Sequence, residues 1–517
     1  MFTSIRIWIM MLLVVAAGGL AIPPVSAQDN ALPAAPPPIA AYPSDGFNMR
    51  VVEQPTPYYV ITTLDPPVFN WFAGIFTNLP TDQDVTIGLN MNAMDHPINN
   101  ADVGKWEGLK PVMTFADPRR YEAYEWYRKD EQGRWVSGDP FKSGEEKYAG
   151  NGKTPRQHVM PEAVADQFLS PDGNYWQPWR EIEHVEVVAT LNIFRIKQRF
   201  ALPTATIAMR IPYTYTFLQT FLERLRAAKI DGVSIDAIGK TPGRRKLQAI
   251  RIEDPASTAA AEDKRTVLII AREHATEHAS SWALHGMVTR LLTAQPETQA
   301  LRKDTTWIFI PIQDPDGSAN STFDNLTEWM CHAWDPKIPR EMFDYARYLA
   351  DYVNSGRSID VSMVLHNVEA SECPHVFCPF VDARFPEMVV DFNRMLFAAL
   401  RKDGYVTSPP EENAGKGWMN FRLYGWCALC FGAFDLAYEV NDRYPPQTLS
   451  LVKLQGIGGV ITEQIGAWQS GDNGRKWHAQ ALAFLAKRKV EQERHFKEYG
   501  IKTPDQRNEA DLLVYGY

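Results

Sequence analysis

The chain has 517 residues, of which 45% are hydrophobic and 12% aromatic, enough apolar side chain for two or three domains with full cores and too much for an intrinsically disordered protein. Its net charge of -9 lacks the basic excess of a general nucleic-acid binder, so no nucleic-acid partner is expected.

The amino terminus carries the marks of a secretory signal peptide over residues 1–27. Arg6 supplies a positive start, residues 7–17 are apolar, and Val25-Ser26-Ala27 is a small-x-small cleavage site before Gln28. An uncleaved membrane anchor is the alternative. The apolar stretch is short and Pro23-Pro24 interrupts it, which favours cleavage and an exported protein, periplasmic or secreted. No later segment is apolar enough to span a bilayer. Residues 28–56 are expected to be a linker, because 31–43 is rich in Ala and Pro.

Residues 57–212 alternate short apolar runs with turn residues. Strands are predicted at 69–76, 85–90, 185–194 and 206–211. Strands in series without long intervening helices predict an antiparallel β-sandwich domain, with residues 115–180 as long loops on it.

After Pro212 the period changes. Phe217, Leu218, Phe221, Leu222 and Leu225 keep helical spacing within 213–228. Strands at 233–238, 247–252, 265–270, 306–312, 359–365 and 433–440 then alternate with helices at 279–292, 342–353, 386–400 and 449–468. This alternation predicts an α/β domain with a mixed sheet over 213–475, followed by a charged helix and tail over 476–517.

The strand at 265–270 runs into His274-Ala275-Thr276-Glu277. Such a pair in a long chain is most often a solvated helix face. Here a buried strand precedes it and a helix follows. Ligands collect beyond the carboxyl ends of strands in open α/β sheets, and imidazole and carboxylate suit Zn²⁺. The strand at 359–365 ends at His366, a third ligand that leaves the fourth tetrahedral position to water. The run His274 to His278 also fits the inverted zincin pattern, in which His278 binds metal and Glu277 is the base. That pattern needs one continuous helix, and the strand ends only four residues earlier.

Five cysteines are present: Cys331, Cys373, Cys378, Cys427 and Cys430. In an exported chain they are expected as disulfides or buried thiols, with a four-thiolate zinc site as the alternative. His278 and His285 are expected to pack inside their helix, whereas His375 could reach the pocket.

Several segments in order resemble the zinc carboxypeptidase family, in its cytosolic-carboxypeptidase-like branch. Residues 69–76 resemble the opening of that branch's sandwich domain, and 211–216 its Pro-Tyr-Thr-Tyr-Thr junction. Residues 238–244 resemble the strand-turn segment before the metal site. Residues 271–282 resemble its Ala-Arg-x-His-x-x-Glu-x-x-x-Ser-Trp motif, and 310–317 its Pro-x-x-Asn-Pro-Asp-Gly loop. The resemblance implies a mixed-sheet zinc carboxypeptidase-like domain behind an antiparallel β-sandwich domain. It implies Zn²⁺ held by His274, Glu277 and His366, and a late-strand glutamate that activates water. Glu439 is favoured for that base, since its interval from His366 and the following amphipathic helix match. Glu463 competes, but Leu449, Val452, Gly456 and Val460 give its segment helical spacing.

Three departures stand out. Residues 318–339 contain no arginine, where the family grips the substrate carboxylate. Arg272, Arg340, Arg347 and Arg357 are the nearby cations, and Arg272 or Arg340 could face an oxyanion. Val364 and Asn367 replace the family's Asp and Gly around the third ligand, which removes one partner from its usual place. The expected activity is zinc-dependent hydrolysis of peptide or peptide-like amides, with carboxypeptidase specificity open. An N-acyl amino acid amidohydrolase on the same zinc site, or an inert binding protein on the peptidase fold, are the alternatives.

Overall fold

The computed structural model describes residues 38–517 apart from 44, 55–58, 65–70, 91–105, 143–147, 150–158, 294, 322–339, 368–374, 380–384, 413–422, 445–446, 503–505 and 507–508. The signal-peptide reading of residues 1–27 lies outside the described residues. Among the described residues no helix is long and apolar enough to cross a membrane.

The first half is built from short strands: β1 Ala40–Tyr42, β2 Met49–Glu53, β3 Tyr59–Leu64, β4 Ala73–Thr77, β5 Val85–Asn90, β6 Val112–Thr114, β7 Tyr127–Lys129, β8 Trp135–Ser137, β9 Tyr148–Ala149, β10 Tyr175–Trp176, β11 Arg180–Glu181, β12 Val185–Val188, β13 Ile193–Gln198 and β14 Ala205–Ala208. They form two five-stranded sheets, β1-β4-β14-β6-β11 and β12-β13-β5-β3-β2. Val85, Ile87 and Leu89 turn inward between half-buried Thr86 and Asn90, the alternation of a strand with one face in a core. Phe72 meets Phe194 and Trp106 at ring distances of 6.3 and 5.1 Å, closing the space between the sheets.

Four expectations for this half change. The sandwich is not wholly antiparallel, because β3 and β5 pair in parallel. The segment 28–56, expected as a linker, contributes β1 and β2. Ile39, Ala41, Phe47 and Met49 are buried there, and these scattered apolar residues outweigh the Pro/Ala composition around them. The single strand expected over 185–194 is a hairpin of β12 and β13, with Asn192 at φ 51° in its turn. Residues 115–180, expected as loops, include a four-stranded sheet β10-β7-β8-β9 over its own core of Tyr127, Trp135, Met160, Phe168 and Trp176.

The second half follows the expected alternation closely. A short α1 (Glu162–Ala165) precedes it, and α2 (Tyr215–Ala228) opens it, its start capped by the Thr214 hydroxyl accepting from the Phe217 N–H at 3.0 Å. The strands are β15 Val233–Lys240, β16 Lys246–Ile252, β17 Arg265–Ala271, β18 Thr305–Ile310, β19 Val361–His366, β20 Phe377–Pro379 and β21 Phe434–Val440. Between and after them lie α3 His278–Leu292, α4 Pro296–Arg302, α5 Pro315–Asn320, α6 Arg340–Asn354, α7 Pro386–Lys402, α8 Leu423–Phe431, α9 Leu451–Ser470, α10 Asp472–Tyr499 and α11 Glu509–Tyr515. The seven-stranded sheet runs β15-β16-β18-β17-β19-β21-β20. Its centre, β18-β17-β19-β21, is parallel and its flanks are antiparallel.

The central strands are apolar on both faces because helices cover both. In β17, Val267, Ile269 and Ala271 join the core shared with α3 and α9, while Leu268 and Ile270 join the core beneath α6 and α8. Helices α3 and α9 approach so closely that a Cβ on Gly286 would lie 2.0 Å from the Gln455 carbonyl oxygen. The expected boundary at residues 212 and 213 is not a break in the core. Residues Ile39–Tyr517 form one unit. Trp282 of α3 packs 5.4 Å from Tyr124, 4.7 Å from Tyr213 and 5.0 Å from Phe217. At the opposite end of the sheet, His478 of α10 pairs with Asp360 at 2.6 Å.

Candidate metal centre

Strand β17 lies between β18 and β19, so its carboxyl end opens at the middle of the sheet. The chain turns sharply there, with Arg272 at φ 59°. The turn is tied to the exit of β18, as the Gln313 and Asp314 N–H groups donate to the carbonyls of Ala271 and Arg272 at 3.0 and 3.2 Å. The buried Arg272 guanidinium donates to Tyr213 O at 2.8 Å, to Ser318 Oγ at 2.7 Å and to Ala275 O. Burial lowers its pKa to about 9, against the opposing pull of Glu277 and Asp314. This residue clamps the turn, its guanidinium taken up by the two backbone carbonyls, Ser318 and, 3.0 Å from Nη1, His278 Nδ1.

A tight turn then brings Glu277 back to His274, whose carbonyl accepts from the Glu277 N–H at 3.2 Å, and α3 begins at His278. His274 Nδ1 lies 2.6 Å from Glu277 Oε1. His366, the last residue of β19, places its Nδ1 3.1 Å from Glu277 Oε2 and 3.3 Å from His274 Nδ1. Ligand atoms of the three residues all lie within 4.8 Å of one another. Burial would raise the Glu277 carboxyl, but the two histidines lower it to about 2, so it is ionised. Two imidazole nitrogens and one carboxylate aimed at a common point form a donor set that fits zinc.

The far side of the His366 ring is also occupied. Glu273, buried and one residue before His274, sets its Oε2 3.0 Å from His366 Nε2. Burial disfavours the charged imidazole, yet Glu277 and Glu273 together raise its pKa to about 10. Sequence reasoning missed Glu273, although its position beside a ligand was visible. Asn367 is held too, since Arg210, following β14, donates from Nη1 to Asn367 Oδ1 and has its Nε 3.7 Å from Asp442 Oδ2.

The two candidate bases part company. Glu439 is buried on β21 in register with His366 on the adjacent parallel strand. Glu463 lies on α9, 47% exposed, in a 2.8 Å ion pair with Arg290. His278 stands apart from the donor cluster. Its Nδ1 accepts from the Tyr213 N–H at 2.8 Å and its ring lies 3.9 Å from that of Trp71. His285 is buried among Tyr213, Phe221 and Trp282, and His375 sits 3.8 Å from Glu412. Arg347 is exposed and Arg357 pairs with Glu253 at 3.4 Å, so neither reaches the cluster. Cys378 is disulfide-bonded, which excludes the four-thiolate zinc alternative. Cys427 and Cys430 are buried, while Cys331 and Cys373 lie outside the described residues.

Residues 218–334 match the zinc carboxypeptidase family model, which bears out the resemblance for that part of the chain. Cytosolic carboxypeptidase 6 of Mus musculus is 28% identical over 106 residues, 20% of this chain and 20% of that protein. Cytosolic carboxypeptidase 6 of Caenorhabditis elegans is 32% identical over 107 residues, 21% of this chain and 23% of that protein. The chain thus spans about a fifth of the length of the curated relatives it matches. A metallo-carboxypeptidase from Pseudomonas aeruginosa, solved with (2-guanidinoethylmercapto)succinic acid, superposes with a TM-score of 0.57 at 15% identity, covering 84% of this chain and 99% of its own. One from Burkholderia cenocepacia gives 0.56 at 15% identity, covering 83% and 99%. At this identity the likeness shows a shared fold, and it extends through the sandwich as well as the α/β half.

Proposed function

We propose that this protein is a zinc-dependent hydrolase of peptide or peptide-like amide bonds, with the metal held by His274, Glu277 and His366 and with Glu439 as the general base. The observation that carries this reading is the convergence of the three donors, within 4.8 Å of one another, at the carboxyl ends of β17 and β19. Zinc bound there supplies Lewis acidity for a scissile carbonyl and lowers the pKa of water. Glu439 accepts the proton of the attacking water and returns it to the leaving amine, a role worth roughly 10²–10⁴-fold in rate.

The family match supports a peptide substrate. One observation favours a second reading. Residues 318–339 carry no arginine to grip a terminal carboxylate, which supports a catalytically inert binding protein on the peptidase fold. The test is metal analysis of the purified protein, with a panel of C-terminally free, C-terminally amidated and N-acylated substrates. One bound zinc and faster cleavage of free than of amidated peptides is the expected result. Equal cleavage of the two would remove the carboxypeptidase reading. Zinc binding without any turnover would leave an inert binding protein.

We also propose that the protein is exported. The sequence of residues 1–27 supports this, and a disulfide at Cys378 suits an oxidising compartment. Cell fractionation with amino-terminal sequencing tests it. A cytosolic protein that retains Met1 would refute it.

A further inference from the structure

Val364, two residues before the third ligand, is a buried apolar side chain and offers no polar partner to the ring. A metal-bound imidazole ordinarily donates its second ring N–H to a carboxylate or carbonyl, which sets the tautomer and the ring orientation. In this chain the nitrogen of His366 that points away from the donor cluster meets a carboxylate from the turn after β17. Glu273 Oε2 lies 3.0 Å from His366 Nε2, while His366 Nδ1 points at Glu277. Both side chains are buried, so water does not screen the contact.

The backbone explains why Glu273 reaches His366. Strands β17 and β19 pair in parallel up to Ala271 and Leu365. The next residue, Arg272, takes a left-handed φ of 59° and is anchored by its guanidinium to Tyr213, Ala275 and Ser318. That anchored reversal carries Glu273 toward the end of β19 before the chain continues to His274.

We infer that Glu273 is a positioning residue for the metal centre, holding His366 with Nδ1 toward the ion and strengthening it as a ligand. The inference rests on the zinc-site reading above. Glu273 thus reaches the third ligand from the turn after β17, one residue before the first ligand histidine.

The experiment is zinc affinity by competition with a chromophoric chelator, on the full chain at pH 7.5, for wild type, Glu273→Gln, Glu273→Asp, Glu273→Ala and His366→Ala. Melting temperatures of the metal-free proteins are measured in parallel. Loss of such a partner typically weakens metal binding about 10–100-fold. Glu273→Gln and Glu273→Ala are expected to weaken zinc binding by about that factor, with partial recovery in Glu273→Asp. The metal-free melting temperature of Glu273→Gln should stay near wild type, which a purely structural role would not allow. A zinc Kd within twofold of wild type in both Glu273→Gln and Glu273→Ala, while His366→Ala loses zinc, overturns this inference alone. Undiminished zinc binding in His366→Ala overturns the site itself and this inference with it.

Discussion

His366 and Glu439 stand in register on adjacent parallel strands, the last residue of β19 beside a buried carboxylate of β21. Neighbours in register in a parallel pair project to the same face, so the acid emerges beside the third donor. The competing acid, Glu463, points into solvent and pairs with Arg290. Glu439→Gln is expected to reduce kcat about 10²–10⁴-fold with zinc still bound near one equivalent. Glu463→Gln is expected to leave kcat within twofold and to change stability by about 0–1 kcal/mol, the usual worth of an exposed ion pair. Initial rates and metal content of both variants decide the matter, and full activity in Glu439→Gln would move the base elsewhere.

The second ring of the His-x-x-Glu-His run belongs to the scaffold. His278 accepts from the Tyr213 N–H and stacks near Trp71. His278→Ala is expected to keep near-stoichiometric zinc while losing about 1–3 kcal/mol of stability, because a buried N–H is left unpaired. His274→Ala is expected to lose the metal. Zinc loss in His278→Ala equal to that in His274→Ala would revive the inverted zincin arrangement.

Acid sensitivity should be traceable to a histidine away from the donors. Burial lowers the His285 pKa to about 3, against about 6.5 in an unfolded chain. Between those values the unfolded state binds a proton that the native state refuses. The stability held by the neutral ring is therefore complete above about pH 6.5, declines as pH falls, and levels off below about 3. Denaturant titrations between pH 7 and 4 should show a shallower decline in His285→Gln than in wild type. Parallel slopes would remove His285 as the cause.

The sandwich and the α/β half should melt together. Trp282 packs against Tyr124 from one half and Tyr213 and Phe217 from the other, and it is fully buried. Trp282→Ala is expected to cost about 3–5 kcal/mol. Calorimetry should show one lowered transition. Two separated transitions, with only the α/β half affected, would mean that the halves fold independently.

Much of this protein was determined locally and is legible in the sequence. The apolar runs of β17, β18, β19 and β21 name themselves because both faces are covered, and the helix periods of α2 and α7 follow from one buried stripe each. The donor set is legible for the same reason: His274, Glu277 and His366 sit at strand ends, and strand ends are visible in a hydropathy pattern. What only the tertiary structure decided is whatever depends on register or on a partner far along the chain. Helical spacing around Glu463 already favours Glu439 in the sequence, but only the register of β21 with β19 sets Glu439 beside His366. Glu273 is an unremarkable motif position until the Arg272 turn lays it against a ring 93 residues later in the sequence. Arg272 itself reads as a free cation until its donors are found on Tyr213, Ala275 and Ser318. Periodicity reports which face of an element is buried. It carries no information about which distant polar group meets that face, and in a buried site that pairing sets the charge and orientation of every side chain.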